Sequence, residues 1–212
     1  MPAPLTIYLI RHGEVHNPEG ILYGRLPGYF LSKTGREQAE SAGKALTDEQ
    51  IAHIYCSPME RTQETSKLIE SQLEVSPEIT IDERLIEVHT PYDGTPHHEL
   101  EAINFDLYDG NEPPHEQPRD IRKRLVDFLN EMRKKHANQK IIAVSHGDIV
   151  VSSFMFSKKQ DANDIGRTRT QVNRIQSLGL PEIYPATASI STLTFTGNDP
   201  DEIPSYSYQR PY

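Results

Sequence analysis

The feature that most constrains the fold is an alternation of short apolar, β-branched runs with stretches of helix-forming residues. Such runs are typical of buried strands, and the stretches between them carry apolar residues at helical spacing. Strands are predicted at 6–10, 52–56, 79–81, 140–145 and 189–195, and helices at 35–46, 57–72, 98–107, 121–135 and 149–156. This alternation predicts an α/β three-layer sandwich, with a mostly parallel central sheet and helices on both faces.

The length of 212 residues suits one domain spanning 1–212. Two segments interrupt the alternation. Residues 88–118 are rich in proline, histidine and acidic side chains, and residues 157–185 mix basic residues with glycine and proline. We predict that both are excursions that act as loops or lids. The tail at 197–212 is predicted to be extended or frayed.

Composition limits the partners. The formal net charge is −9, from 22 basic and 31 acidic residues, which disfavours binding to nucleic acid or an anionic membrane. The one cysteine, Cys56, forms no internal disulfide and suits a reducing compartment. The first residues lack the basic region of a signal peptide, and the apolar stretch 141–156 is too short to span a bilayer. We therefore expect a cytoplasmic protein without membrane association.

Despite the acidic composition, four basic side chains fall at strand ends or at a helix start. Arg11 and His12 follow the first strand, and His146 follows the strand at 140–145. Arg61 lies in the first turn of a helix that we expect Ser57 to cap. Ligands of open α/β sheets bind at the carboxyl ends of the strands, so these side chains should converge. Two arginines and two histidines at one point predict a site for a dianion.

Each residue type suits that chemistry. Arginine presents a planar fork of donors that matches phosphate oxygens, and Arg61 adds the positive end of a helix dipole. Gly13 and Gly147 are expected to let the backbone approach a bound group. A neutral imidazole at His12 can attack phosphorus, and a protonated imidazole at His146 would stabilise the transferring oxygens. Each residue alone is a weak signal, and the prediction depends on their joint placement.

The same residues carry a resemblance to a known family, the histidine phosphatase superfamily in its phosphoglycerate-mutase-like branch. The matching segments occur in that family's order. They are LIRHGE at 9–14, LSKTG at 31–35, YCSPMERTQET at 55–65, RLIE at 84–87 and VSHG at 144–147. The resemblance implies phosphorylation of His12, a phosphate pocket of Arg11, Arg61 and His146, and proton donation to the leaving group by Glu87. It implies neither a metal nor an organic cofactor.

Some candidate positions stay open. A carboxylic acid in a desolvated cleft has a raised pKa, which suits Glu87 as the proton donor. Asp148 is a rival donor, because it follows His146-Gly147 where the family often carries another glycine. Asn17 lies one residue before the family's substrate-contacting asparagine and is a further candidate. Arg25 is either an anion contact or a solvated loop residue.

The favoured function is hydrolysis of a small phosphomonoester through a phosphohistidine on His12. The alternatives are phosphoryl transfer of the phosphoglycerate mutase type and a non-catalytic domain that binds a phosphorylated ligand. The chain matches the mutases poorly at their substrate-specific positions, which favours a phosphatase. The basic stretch 158–174 is either a second anion contact or a solvated surface. Family members are often dimers or tetramers, so a homodimer is a candidate assembly. The loop histidines lack metal-ligand spacing, so no metal is predicted at His89, His97, His98 and His115.

Overall fold

The computed structural model describes residues 4–165, 175–197, 199 and 201–212. The strands are β1 Leu5–Arg11, β2 Ile51–Cys56, β3 Ile79–Ile81, β4 Gln139–Ser145, β5 Ile190–Phe195 and β6 Ser205–Gln209. The helices are α1 Lys33–Lys44, α2 Glu60–Glu70, α3 His97–Ala102, α4 Pro118–Lys135 and α5 Gly147–Ser157. None of the helices in these ranges has the length and apolar character needed to cross a membrane.

The six strands form one sheet in the order β3-β2-β4-β1-β5-β6. Strands β3, β2, β4 and β1 are parallel, β5 is antiparallel to β1, and β6 is antiparallel to β5. The mostly parallel α/β sheet that the alternation predicts is therefore confirmed. The carboxyl ends of β2, β4 and β1 lie side by side at one edge, where short polar segments follow each strand.

Helices cover both faces of this sheet. Side chains alternate along β1, so that Ile7 and Leu9 face one core while Tyr8 and Ile10 face the other. The first core includes apolar residues of α4 and α5, and the second includes those of α1 and α2. The three-layer arrangement is confirmed, and the division into a single domain over 1–212 stays a prediction.

One local prediction is wrong. Helix α2 begins at Glu60 with Met59 at its N-cap, so Ser57 does not cap it. The tail follows the extended alternative, because Ser205–Gln209 pairs with β5 as a sixth strand. Alternating tyrosines signal that strand, and Tyr206 packs against α5 at Phe154 with ring centroids 5.1 Å apart. Three basic residues of the stretch 158–174, Arg167, Arg169 and Arg174, lie outside the described residues.

Candidate active site

Strand register brings the two histidines together. Arg11 is paired with Ser145 across β1 and β4, so His12 and His146 are the first residues beyond that pair. The backbone N–H of His12 donates to the carbonyl of Ser145 at 2.9 Å. The two imidazole rings stand edge to face with centroids 5.3 Å apart. Sequence positions 134 residues apart therefore face one point at the sheet edge.

The His12 ring is held in one tautomer. Its side chain is buried, and its Nδ1 lies 2.7 Å from the carbonyl oxygen of Gly13. This contact requires a proton on Nδ1, so the lone pair of the neutral ring is on Nε2. Burial first, and then the charges of Arg61 and Arg11, lower the pKa of His12 well below its usual 6.5. The ring is therefore neutral near neutral pH.

Arg61 is fully buried in the first turn of α2. Its Nη2 donates to the carbonyl of Gly24 at 2.8 Å, and its guanidinium lies 4.8 Å from the ring centroid of Tyr23. Its Nε and Nη1 are buried with no hydrogen-bond acceptor among the described residues. A buried charged donor without an acceptor is unfavourable, so this geometry fits an anion as its partner.

Arg11 is the second such guanidinium. Its Nη1 donates to the carbonyl of Pro185 at 2.5 Å, and its plane lies 4.9 Å from the ring centroid of Tyr184. Its Nε is buried and also lacks an acceptor among the described residues. Pro185 and Tyr184, in the segment before β5, thus fix the Arg11 guanidinium, while its Nε stays available to an acceptor. With Arg61, the site holds three buried donor nitrogens that need acceptors.

His146 differs from the expectation of a protonated imidazole. Burial first, and then Arg61, lower the pKa of His146 well below 6.5, so the ring is neutral in the free protein. Its Nε2 lies 2.8 Å from the hydroxyl of Ser57, and its Nδ1 lies 3.2 Å from Nη2 of Arg61. Ser57, predicted as a helix cap, instead orients this ring. A bound dianion beside it would favour the protonated form.

Glu87 completes the group. Its Oε2 lies 3.4 Å from Nδ1 of His146 and 3.8 Å from Nη2 of Arg61, and its side chain keeps 18% exposure. Burial is the largest effect on this carboxyl group and raises its pKa, while Arg61 acts in the opposite direction. Burial thus gives Glu87 the raised pKa of a desolvated carboxyl group, and its role as proton donor stays a prediction.

A network that the sequence did not reveal holds the backbone of Glu87. Arg25 Nε donates to the Glu87 carbonyl at 2.8 Å, and Arg25 Nη2 donates to Glu116 at 2.9 Å. Glu116 also accepts from Arg124 Nε at 2.8 Å and from the backbone N–H of His89 at 2.8 Å. The Arg25 side chain is therefore hydrogen-bonded within the protein. Through Glu116 it connects the backbone of Glu87, the proposed acid, to α4.

Asp148 lies in the first turn of α5 and is 4% exposed. It accepts a short hydrogen bond from the Tyr108 hydroxyl and another from Tyr184 at 2.6 Å. The two tyrosines belong to the two excursions predicted from the sequence. A Cβ on Gly147 would lie 2.1 Å from the Tyr184 hydroxyl. Gly147 is thus needed for the approach of Tyr184.

The remaining candidates have partners outside this group. The side-chain amide of Asn17 closes a local turn, donating to the Ile21 carbonyl at 2.9 Å and accepting from the Ile21 N–H at 3.3 Å. His89 and His115 lie ring to ring at 5.0 Å, while His97 contacts Phe105. Among the described residues, no cluster of three metal-ligand atoms includes a loop histidine.

One cluster does have ligand-type atoms at close range. His12, Glu87 and His146 place such atoms within 4.8 Å of one another. The guanidinium of Arg61 lies within 4 Å of both Glu87 and His146, and a positive charge there disfavours a cation. The donor groups of Arg61 and Arg11 fit an anion better than a metal ion.

The sheet and its buried arginines and histidines define an α/β protein with a candidate anion site at the carboxyl edge. Comparison identifies the family. A model of the histidine phosphatase superfamily (branch 1) matches residues 7–201. The chain belongs to this superfamily.

Relatives agree with this assignment. The uncharacterized protein Rv0525 of Mycobacterium tuberculosis is 34% identical over 151 residues, which are 69% of this chain and 75% of that protein. Phosphoserine phosphatase 1 of Hydrogenobacter thermophilus is 33% identical over 152 residues, 67% of this chain and 71% of that protein. The structure of Bacillus stearothermophilus YhfR shares the fold, with a TM-score of 0.72, 24% identity, and coverage of 89% and 90% of the two chains. The family and the names of its members indicate phosphatase activity.

Proposed function

We propose that the protein hydrolyses a small phosphomonoester through a covalent phosphohistidine on His12. The observation that carries this proposal is the set of unpaired buried N–H groups of Arg11 and Arg61 around the neutral His12 ring. Three donors without acceptors match the oxygens of a phosphoryl group, which they would bind and stabilise as charge spreads in the transition state.

The first step forms a bond between His12 Nε2 and phosphorus and breaks the bond to the leaving oxygen. Glu87, whose pKa is raised by burial, gives a proton to that oxygen as the alcohol departs. In the second step the Glu87 carboxylate takes a proton from water, and the resulting nucleophile attacks phosphorus. The N–P bond breaks, and inorganic phosphate and the starting protein are released. The two steps balance with water as the only co-reactant.

The hydrogen bonds of two side chains, Arg25 and Asn17, favour hydrolysis over transfer of the phosphoryl group to a second acceptor. A mutase must hold a second anionic group while the phosphoryl group is returned to the substrate. Arg25 is bound to Glu87 and Glu116, and Asn17 is bound to the backbone of Ile21. Both residues, which the sequence suggests as further substrate contacts, already have partners within the protein.

The test is a phosphatase screen over phosphorylated amino acids, sugars and glycerates, with phosphoryl transfer to added glycerate assayed in parallel. We expect phosphate release from wild type and an acid-labile, alkali-stable phosphoenzyme. His12→Ala should abolish both, while His16→Ala, the same change at a nearby exposed histidine, should keep both. A phosphoenzyme that persists in His12→Ala would refute the nucleophile. Tight ligand binding with no turnover would instead favour the non-catalytic alternative.

A further inference from the structure

We infer that Asp148 is a positioning residue whose negative charge, held by Tyr108 and Tyr184, keeps Glu87 protonated until the leaving group departs. This inference rests on the proposed function. It assigns Asp148 a part in the reaction that differs from proton donation. Four observations about the carboxylate and its surroundings support it.

The first observation is the way the carboxylate is held. Each oxygen of Asp148 accepts a hydrogen bond from a tyrosine hydroxyl, Oδ2 from Tyr108 and Oδ1 from Tyr184. A group that accepts two such bonds is stabilised as the anion. Burial and Asp148 itself raise the pKa of Tyr108 well above its usual value, so this hydroxyl stays a donor.

The second observation is the lack of a counter-charge. Within the described part of the chain, no lysine, arginine or histidine nitrogen lies within 4 Å of the Asp148 carboxylate. The ion pairs around the site involve Glu87 and Glu116 instead. A buried carboxylate that is hydrogen-bonded but not ion-paired acts on its neighbours as an uncompensated negative charge.

The third observation is where that charge acts. Asp148 and Glu87 line the same small cavity of about 30 Å³, together with Tyr184. Two carboxyl groups in one poorly solvated site do not both carry a charge readily, and hydrogen-bond donors favour the charge on the group that they contact. Asp148 accepts hydrogen bonds from two hydroxyl groups, whereas Glu87 accepts one, from the backbone N–H of Val88 at 2.9 Å. We therefore assign the negative charge to Asp148 and the proton to Glu87.

The fourth observation is the balance of charges around Glu87. The groups that act on it from each packed element are Arg61 on α2, Arg11 at the end of β1, His146 before α5, Asp148 on α5, Arg25 in the loop after β1, and Tyr108 in the first excursion. In the free protein the neutral His146 and Tyr108 contribute little charge, and Arg25 is paired with Glu116. A bound phosphoryl dianion would offset the charges of Arg61 and Arg11, and that of the His146 ring once it takes up a proton. Asp148 then remains as the fixed charge that favours the protonated form of Glu87.

The test compares the pH dependence of kcat/KM for an alkyl phosphate and for p-nitrophenyl phosphate. The alkyl leaving group needs the proton of Glu87, so its alkaline limb reports that acid. Asp148→Asn removes the charge at nearly constant shape, and it should move this limb to lower pH by roughly one unit. Asp148→Ser, a second charge-removing variant, should give a shift of the same sign. p-Nitrophenyl phosphate, whose leaving group is stable as the anion, should show little change.

A charge-retaining variant is the matched control. Asp148→Glu keeps the carboxylate, so it should not move the alkaline limb to lower pH. An unchanged limb in Asp148→Asn would overturn the inference. So would loss of alkyl phosphate turnover at every pH in Asp148→Asn but not in Glu87→Gln, because Asp148 would then be the donor. If wild type forms no phosphoenzyme with either substrate, the proposed function itself has failed, and the inference fails with it.

Discussion

Arg61 should behave unlike an ordinary buried arginine when it is replaced. Its Nη2 donates to the Gly24 carbonyl, but its Nε and Nη1 have no acceptor among the described residues. Arg61→Met keeps an unbranched, flexible side chain of similar volume and removes the charge with all of its donors. The free energy of unfolding falls when a buried, fully hydrogen-bonded charge is removed from its partners. The question is whether it also falls when Arg61 is replaced.

The expected change in the free energy of unfolding is small because the stabilising and destabilising effects of the substitution nearly cancel. Leaving two buried donors unpaired costs about 1–3 kcal/mol each, so their removal relieves about 2–6 kcal/mol. The variant loses a charge-assisted hydrogen bond to Gly24 of about 1.5–3 kcal/mol and the contact with Tyr23 of about 0.5–2 kcal/mol. Glu87 is left without an adjacent cation, but its raised pKa means that it can remain neutral. The net change should stay within about 2 kcal/mol of zero.

The measurement is urea unfolding, with Arg124→Met as the control. Arg124 donates to Glu116 at 2.8 Å and to the Arg84 carbonyl at 2.6 Å, so its removal breaks satisfied bonds and should cost about 3–5 kcal/mol. If Arg61→Met is destabilised as much as Arg124→Met, the donors of Arg61 are not unpaired and the reasoning is refuted.

Inorganic phosphate provides the second readout. Phosphate at about 100 times its Kd should stabilise wild type by about 2.7 kcal/mol, which corresponds to a rise in Tm of roughly 5–10 °C for a chain of this size. Arg61→Met should lose most of this rise, because the donors that bind the anion are gone. An equal rise in the variant would place phosphate elsewhere on the protein.

Two further predictions concern stability. The pKa of buried His12 and His146 is lower in the folded protein than the usual 6.5 of the unfolded chain, so their contribution to stability is fully present above pH 6.5. As pH falls below 6.5 the unfolded chain takes up protons first, and the free energy of unfolding should fall by up to about 1.4 kcal/mol per pH unit for each ring. The slope of unfolding free energy between pH 7.5 and 5.5 should shrink in His12→Asn, and an unchanged slope would contradict this. Gly147→Ala should destabilise by about 1–3 kcal/mol, because its Cβ meets Tyr184. Gly197→Ala, whose Cβ would make only ordinary contact, should cost less, and equal unfolding midpoints for the two variants would count against the steric argument.

Much of the site could be predicted because most of its residues directly follow a strand in the sequence. Arg11, His12 and His146 follow apolar runs that any buried parallel strand requires, and parallel strands bring their carboxyl ends to one edge. Arg61 could be placed from the helix start next to it, even though the capping residue was wrong. Short-range patterns of this kind depend on the neighbours of a residue in the sequence.

The partners of these residues could not be predicted in the same way. Tyr108 and Tyr184 meet Asp148 across 40 and 36 residues, and Arg11 meets Pro185 across 174. Such contacts depend on where irregular segments pack, and those segments have no periodicity that reveals their partners. The sequence by itself therefore determined which side chains reach the sheet edge. Only the tertiary structure decided their protonation and their partners, because desolvation and hydrogen bonding depend on every element packed around the site.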